Sequence, residues 1–298
     1  MSNTPAISRP SSLRERLGTG KIVVAPGVYD MISARMADAI GFEALYMTGY
    51  GTVASHLGLP DAGLASYTDM VGRVAQMCGG TNTPLVADAD TGYGGLLNVR
   101  HTVRGYEKAG AVAIQIEDQE MPKKCGHTVG RRVVPMEDMV AKVKVAIEAR
   151  ASADTLIVAR TDARTALGLD EALRRGEAYA RAGADLVFVE SPESEEELYK
   201  IGKALKGCKL VANVVQSGAR TPELPSAQLE EFGFALAIYP SLPHKAAAAA
   251  LRTTYQHLLK HGTAIGLELP LMSSPEMHQL MGFQDVWDFE ARCEHLVD

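Results

Sequence analysis

The residues of this sequence best placed to do chemistry are a group of carboxylates, an arginine and a cysteine. Asp88 and Asp90 close one apolar run, PLVADAD (84–90), and Glu117 closes another, VAIQIE (112–117). Arg160 ends TLIVAR (155–160), and Glu190 ends DLVFVE (185–190). An acidic or hydroxyl side chain just after such a run is most simply a helix N-cap, and Asp118, Asp162 and Ser191 are read that way. The set as a whole is not explained so. Carboxylates crowded together raise a proton affinity sharply unless a cation compensates. All-oxygen ligands without a Cys/His cluster suit a hard divalent ion, Mg²⁺ or Mn²⁺. Arg160 reads either as an ion-pair partner, with Glu190, or as a clamp for a carboxylate or phosphate. Cys125 lies in KKCGH, beside two lysines and His127. Those cations predict a lowered thiol pKa, and the position suits proton transfer or nucleophilic attack better than core packing.

These side chains need a scaffold that brings strand ends together. Short β-branched runs recur at 21–26, 43–48, 84–90, 112–117, 155–160, 185–190, 209–214 and 235–240. Each is nearly continuous in apolar character, as expected of strands covered on both faces. Between them lie segments of 3.6-residue periodicity, among them 31–41, 97–111, 136–150 and 169–184. Eight strands alternating with helices predict an α/β fold, a (β/α)₈ TIM-type barrel. The runner-up, an open doubly wound sheet, would carry a glycine-rich phosphate turn after an early strand, and PGVYDM (26–31) is not one.

A barrel presents the C-terminal ends of its strands to one mouth. Besides the acidic residues and Arg160, that places Tyr46, Thr48, Gly49 and Tyr50 after the second strand, and Asn213 and Gln216 after the seventh. The connection 118–135 is long, basic and punctuated by Gly126 and Gly130, the character of a functional lid. An eighth helix at 244–262 is followed by a tail carrying Trp287, Phe283, Phe289 and Met281, which should pack on its own barrel or on a neighbouring subunit. The expected division is a catalytic barrel with an N-terminal arm, 1–262, and a helical extension, 263–298.

Composition narrows the classes. The 298 residues carry 30 Lys+Arg against 36 Asp+Glu, with 46% hydrophobic residues. That balance excludes a disordered chain and argues against nucleic-acid binding, which calls for a basic stripe. No apolar run reaches the length of a membrane span. Cys78, Cys125, Cys208 and Cys293 are scattered, with no CxxC pair. A reducing compartment fits that usage, the polar N-terminus lacks a signal peptide's apolar core, and a cytoplasmic location is expected.

The motifs PGVYDMISARMA, YMTGYGTVASHLGLPDAG, VADADTGYGG, IQIEDQEMPKKCGH and VARTDA, with the pair NVVQSGARTP and AIYP, resemble the isocitrate lyase/phosphoenolpyruvate mutase superfamily from about Leu13 to Lys260. The resemblance implies a TIM-type barrel in a homotetramer, a dimer of dimers whose last helix swaps onto a partner barrel. It also implies Mg²⁺ or Mn²⁺ and a small di- or tricarboxylate substrate. By resemblance, Asp88 contacts the metal, with Asp61, Asp90 and Glu117 around it. Thr48 and the backbone of Gly49 and Tyr50 would hold substrate oxygens. Arg160 would grip a carboxylate near Glu190, Asn213 and Gln216. Cys125 would protonate the departing enolate with support from His127, and Tyr46 is the candidate base.

The cysteine loop points to the carbon–carbon lyases of the group, because its phosphonate-forming mutases lack this cysteine. Methylisocitrate lyases continue CGH with an Arg-Pro-Asn segment, whereas this chain reads CGHTVGRR. That favours the branch with 2,3-dimethylmalate lyase, oxaloacetate hydrolase and petal death protein. The expectation is Mg²⁺-dependent retro-aldol cleavage of a substituted malate. Oxaloacetate hydrolysis or decarboxylation comes next, then methylisocitrate cleavage, and last a non-catalytic carboxylate-binding barrel. One departure stands out: Gln216 occupies a position where the family's lyases carry Glu, and a carboxylate there would lie near Cys125 and His127.

Overall fold

A computed structural model describes residues 12–216 and 221–294. Most of the N-terminal arm, four residues of the NVVQSGARTP motif and the last four of the tail lie outside the described residues. Eight parallel strands close into a barrel in sequence order: β1 (Val23–Val28), β2 (Leu45–Met47), β3 (Leu85–Asp88), β4 (Ala113–Glu117), β5 (Leu156–Thr161), β6 (Leu186–Val189), β7 (Lys209–Asn213) and β8 (Phe234–Tyr239). Every residue of β2 to β6 is buried, which accounts for the unbroken apolar runs.

Local sequence sets the helix ends. Asp30 caps Met31–Ile40 in a reciprocal box with Ser33, and Gly41 ends that helix in the left-handed region at φ 92°. Ser66 and Asp69 do the same at the start of Tyr67–Gly80. Tyr46, Val86, Val158, Phe188 and Ile238 fill the barrel interior, and Leu13 and Leu17 join that cluster. The short helix Leu13–Arg16 thereby closes the end where the strands begin. The opposite end, where the strands finish, stays open.

Register places the polar strand ends side by side. Asp88 pairs with Gln115 across β3–β4, Glu117 with Arg160 across β4–β5, and Arg160 with Phe188 across β5–β6. The eighth helix, Leu242–His261, departs from the ordinary barrel pattern, with no buried residue along its 20. Tyr255 and Leu259 on it are exposed. The tail forms two further helices, Ser274–Met281 and Phe283–Cys293. Trp287 packs against Phe283 and His278 and remains half exposed.

Candidate active site

A cavity of about 680 Å³ opens at the strand ends. It is lined by Tyr46, Thr48, Tyr50, Asp61, Asp88 and Glu117, and by Cys125, His127, Arg160, Glu190 and Asn213. Most of the expected site residues thus meet in one place. Asp90 stands just behind the wall, joined to Asp88 by its own N–H at 3.0 Å from Asp88 Oδ1. Gly49 is the first residue of the helix Gly49–Leu57, whose opening N–H groups have no intrahelical acceptor.

Gln216 is the exception. Its side-chain amide donates to the Val214 carbonyl at 3.3 Å and to Glu223 Oε1 at 3.5 Å, and it is not part of the cavity wall. The expectation that this position adjoins Cys125 and His127 is therefore corrected. The chain after β7 turns the side chain toward Glu223, leaving Asn213 to meet His127, Nδ2 to Nε2, at 3.2 Å.

The carboxylates are compensated from within the loop. Lys123 Nζ lies between Asp61 and Asp90 and makes ion pairs with both. Burial raises Asp88, and it pushes Asp90 up to about 6 even with Lys123 opposing. Burial also raises Glu117 well above the usual carboxylate range, while Arg160 Nε stands 3.4 Å from its Oε2. Glu190 behaves oppositely. Burial alone would raise it, but Arg160, His127 and Arg131 hold it down at about 2.

Arg160 is engaged on several sides. Its Nε and Nη2 donate to Asp162 at 2.9 Å each, Nη2 reaches Glu190 Oε2 at 3.2 Å, and the guanidinium stacks over Phe188. The ion pair with Glu190 that the sequence suggested is present, and the same guanidinium lines the cavity. Asp162 stands at the N-cap position of Ala163–Leu167 but makes no capping bond, because the arginines take its oxygens. Asp118 is not a cap either. It accepts from Thr161 Oγ1, the Asp162 N–H, Arg175 and Tyr179, and so braces the end of β5. Ser191 is likewise not a cap, since Ser194 caps the helix that follows.

The 118–135 segment is tied down over the mouth. The Cys125 N–H donates to the Asp61 carbonyl at 3.1 Å, and Ser191 Oγ donates to the Gly126 carbonyl at 2.8 Å. A Cβ at Gly126 would stand 2.8 Å from Glu190 Oε2 and would also strike Arg160. Only glycine fits so close to that pair.

The expected lowering of the Cys125 thiol is overturned. Burial raises it, and the bond from the His127 backbone and the charge of Arg160 do not offset that. The flanking lysines are spent elsewhere: Lys123 on the carboxylates, Lys124 on the Gly130 carbonyl at 3.3 Å. A thiol kept protonated is a proton donor, not a ready nucleophile. Tyr46 is corrected in a similar way. Burial, then Asp88, raises its phenol well above its ordinary value, so it rests neutral and donates to Gln115 Oε1 at 3.1 Å. A resting base it is not.

The donor set fits a hard divalent cation held in the manner of Mg²⁺. Asp88 is a buried carboxylate with its Oδ2 beside Gly49, where a Cβ would approach to 2.7 Å. Among the described residues, no three His, Cys, Asp or Glu side chains converge tightly enough to cage an ion. Mg²⁺ accepts that arrangement, taking one or two carboxylates and completing its shell with water and substrate oxygens.

Comparison with known proteins extends along the same length of chain. The phosphoenolpyruvate phosphomutase family matches residues 13–259. The 2,3-dimethylmalate lyase of Eubacterium barkeri is 48% identical over 94% of this chain and 96% of its own. A 2-methylisocitrate lyase of Aeropyrum pernix is 40% identical over 92% of this chain and 87% of its own. The structure of oxaloacetate acetylhydrolase with the inhibitor 3,3-difluorooxalacetate superposes with a TM-score of 0.90, at 33% identity, over 96% of this chain and 97% of that one. Likeness of sequence and likeness of backbone thus cover the same barrel, and the chain belongs to the phosphoenolpyruvate mutase/isocitrate lyase superfamily.

Proposed function

We propose that this protein is a Mg²⁺- or Mn²⁺-dependent carbon–carbon lyase that cleaves a small substituted malate, such as 2,3-dimethylmalate, to an α-keto acid and a carboxylate. The observation that carries the reading is the meeting of Cys125, Arg160, Asp88 and Glu117 in the wall of one cavity, and burial, which raises the thiol, agrees with an acid there. The 48% identity to a 2,3-dimethylmalate lyase supports the same substrate class.

Retro-aldol cleavage breaks the C2–C3 bond. The C2 hydroxyl loses its proton and becomes the keto group, and C3 leaves as an enolate that must be protonated. Arg160 engages one substrate carboxylate, while Thr48 and the N–H groups of Gly49 and Tyr50 receive oxygens at the helix start. Tyr46, a neutral phenol, orients the C2 hydroxyl, and the acceptor for its proton is Glu117, a carboxylate of the same wall. Cys125 delivers the proton to C3, with His127, Glu190 and Asn213 fixing the loop around it. Asp88 would hold the divalent ion, with Asp61, Asp90 and Glu117 around it. Electrophilic stabilisation of the developing carbonyl oxygen is the chemistry such an ion supplies when bound.

The segment CGHTVGRR, which lacks the Arg-Pro-Asn that follows CGH in methylisocitrate lyases, favours a dicarboxylate over a tricarboxylate. Val215 and Pro240 add apolar wall where alkyl substituents would rest. Gln216 lies outside this substrate set. The helix Leu242–His261, none of whose residues is fully buried, supports a homotetramer in which its exposed face packs on a partner subunit. The tail from residue 263 is proposed as an extension of that contact. The four free cysteines support a cytoplasmic setting, and no described helix is long and apolar enough to cross a membrane.

The test is kcat/KM with Mg²⁺ for 2,3-dimethylmalate, 2-methylmalate, malate, 2-methylisocitrate and oxaloacetate. A substituted malate ranking first supports the reading. Oxaloacetate or 2-methylisocitrate ranking first replaces it, and turnover of none leaves a binding barrel.

A further inference from the structure

One buried cation near the site has no part in the chemistry above. The Arg131 side chain is 3% exposed although it comes from a connecting segment, where arginine ordinarily faces solvent. Its Nη1 bonds Asp162 Oδ1 at 2.5 Å, and its Nη2 donates to Thr165 Oγ1 at 2.6 Å and to Ser191 Oγ at 3.3 Å. These partners follow β5 and β6, near whose ends Arg160 and Glu190 stand.

Two of the partners are shared with the site. Asp162 accepts from Arg131 and from both forks of Arg160, so one carboxylate answers two guanidiniums. Ser191 accepts from Arg131 while donating to the Gly126 carbonyl at 2.8 Å, one residue from Cys125. It does so from the left-handed region, φ 58°, a conformation that costs a serine energy and persists only where neighbours enforce it.

We propose that Arg131 is a positioning residue: it latches the 118–135 segment over the cavity through Asp162 and Ser191 and, by sharing Asp162, frees the charge of Arg160 for an anionic substrate. Without Arg131, Asp162, Glu117 and Glu190 would face a single guanidinium. With it seated, a second guanidinium behind the cavity wall shares Asp162, and Arg160 has one less carboxylate to answer alone. Closure and carboxylate binding are then linked, and linkage is reciprocal: each strengthens the other. The proposal rests on the reading of Cys125 and Arg160 as substrate-facing groups.

The test compares Arg131→Gln, Arg131→Lys and Ser191→Gly with the unsubstituted protein. Each is read by the rate at which iodoacetamide alkylates Cys125, followed by peptide mass spectrometry, and by the Kd for oxalate. Arg131→Gln should be alkylated at least about tenfold faster and bind oxalate at least about tenfold more weakly, since a buried charged hydrogen-bond set is lost. Arg131→Lys should recover part of both. Ser191→Gly, which suits the positive φ, should speed alkylation with a smaller loss of oxalate affinity. Faster alkylation at every pH marks an uncovered thiol; a curve displaced along the pH axis marks a changed thiol pKa and counts against the latch. Unchanged alkylation and oxalate affinity in folded Arg131→Gln overturn the proposal, and if that variant does not fold, Ser191→Gly decides it by alkylation rate. None of these readouts needs a lyase reaction, so failure of the latch and failure of the substrate reading are distinguishable.

Discussion

Lys123 is ion-paired with Asp90 inside the mouth of the barrel, both side chains nearly sealed from solvent. The same ammonium serves Asp61, so a residue of the connecting loop neutralises acidic groups that the strands and helices alone would leave crowded. Although burial opposes it, Asp90, Glu117, Asp61 and Asp88 together keep Lys123 charged.

Lys123→Met should therefore strand two buried carboxylates. Breaking such a pair costs about 3–5 kcal/mol, because the remaining charge has no partner. Urea unfolding should show that loss, and adding Asp90→Asn to Lys123→Met should return part of it. A Lys123→Met protein as stable as the parent would mean the ammonium is dispensable.

Cys125→Ser should reduce turnover by roughly a thousandfold or more, because a hydroxyl is a far weaker acid than a thiol. Oxalate affinity should stay within a few-fold. The sign of the pH effect follows from the raised thiol. An acid works in its protonated form, so the rate should hold through neutral pH and fall only on the alkaline side, above the ordinary thiol range. Cys125→Ser should abolish that limb. An alkaline limb that survives in Cys125→Ser belongs to another group.

Much of the site was legible in advance because a closed parallel barrel converts strand ends into neighbours. Asp88, Glu117, Arg160 and Glu190 each ended an apolar run; the register pairs Glu117 with Arg160, and all four line the mouth. The charge states were harder to read. Lysines beside Cys125 suggested an ionised thiol, yet their heads reach Asp61, Asp90 and Gly130, partners up to 62 residues away in sequence. Asp118, Asp162 and Ser191 had the residue types and positions of caps, and only the fold shows that buried arginines and the loop claim them. Arg131 left no signal beyond one basic residue among several.

Chelation should separate the carboxylates by role. Activity should vanish in EDTA and return with Mg²⁺ or Mn²⁺, and Asp88→Ala should be more damaging than Asp90→Ala. Full turnover in exhaustively chelated protein would remove the metal from the account. Equal losses in the two variants would mean the carboxylates act as one set.

Gln216→Glu should leave the ranking of substrates and the pH–rate profile unchanged, since the side chain points to Val214 and Glu223 and away from the cavity. A second carboxylate beside Glu223 should instead lower Tm by a few degrees, as like charges in contact do. A reordered substrate panel would return Gln216 to the site.

The most direct measurement is proton NMR of the products formed from 2,3-dimethylmalate with Mg²⁺ in D₂O. Cleavage of the C2–C3 bond with an acid at C3 yields pyruvate and propionate in equal amounts, the propionate carrying one deuterium at C2. That outcome, lost in Cys125→Ser, is the one predicted here. Unreacted 2,3-dimethylmalate, alongside oxalate and acetate formed from oxaloacetate, would contradict it.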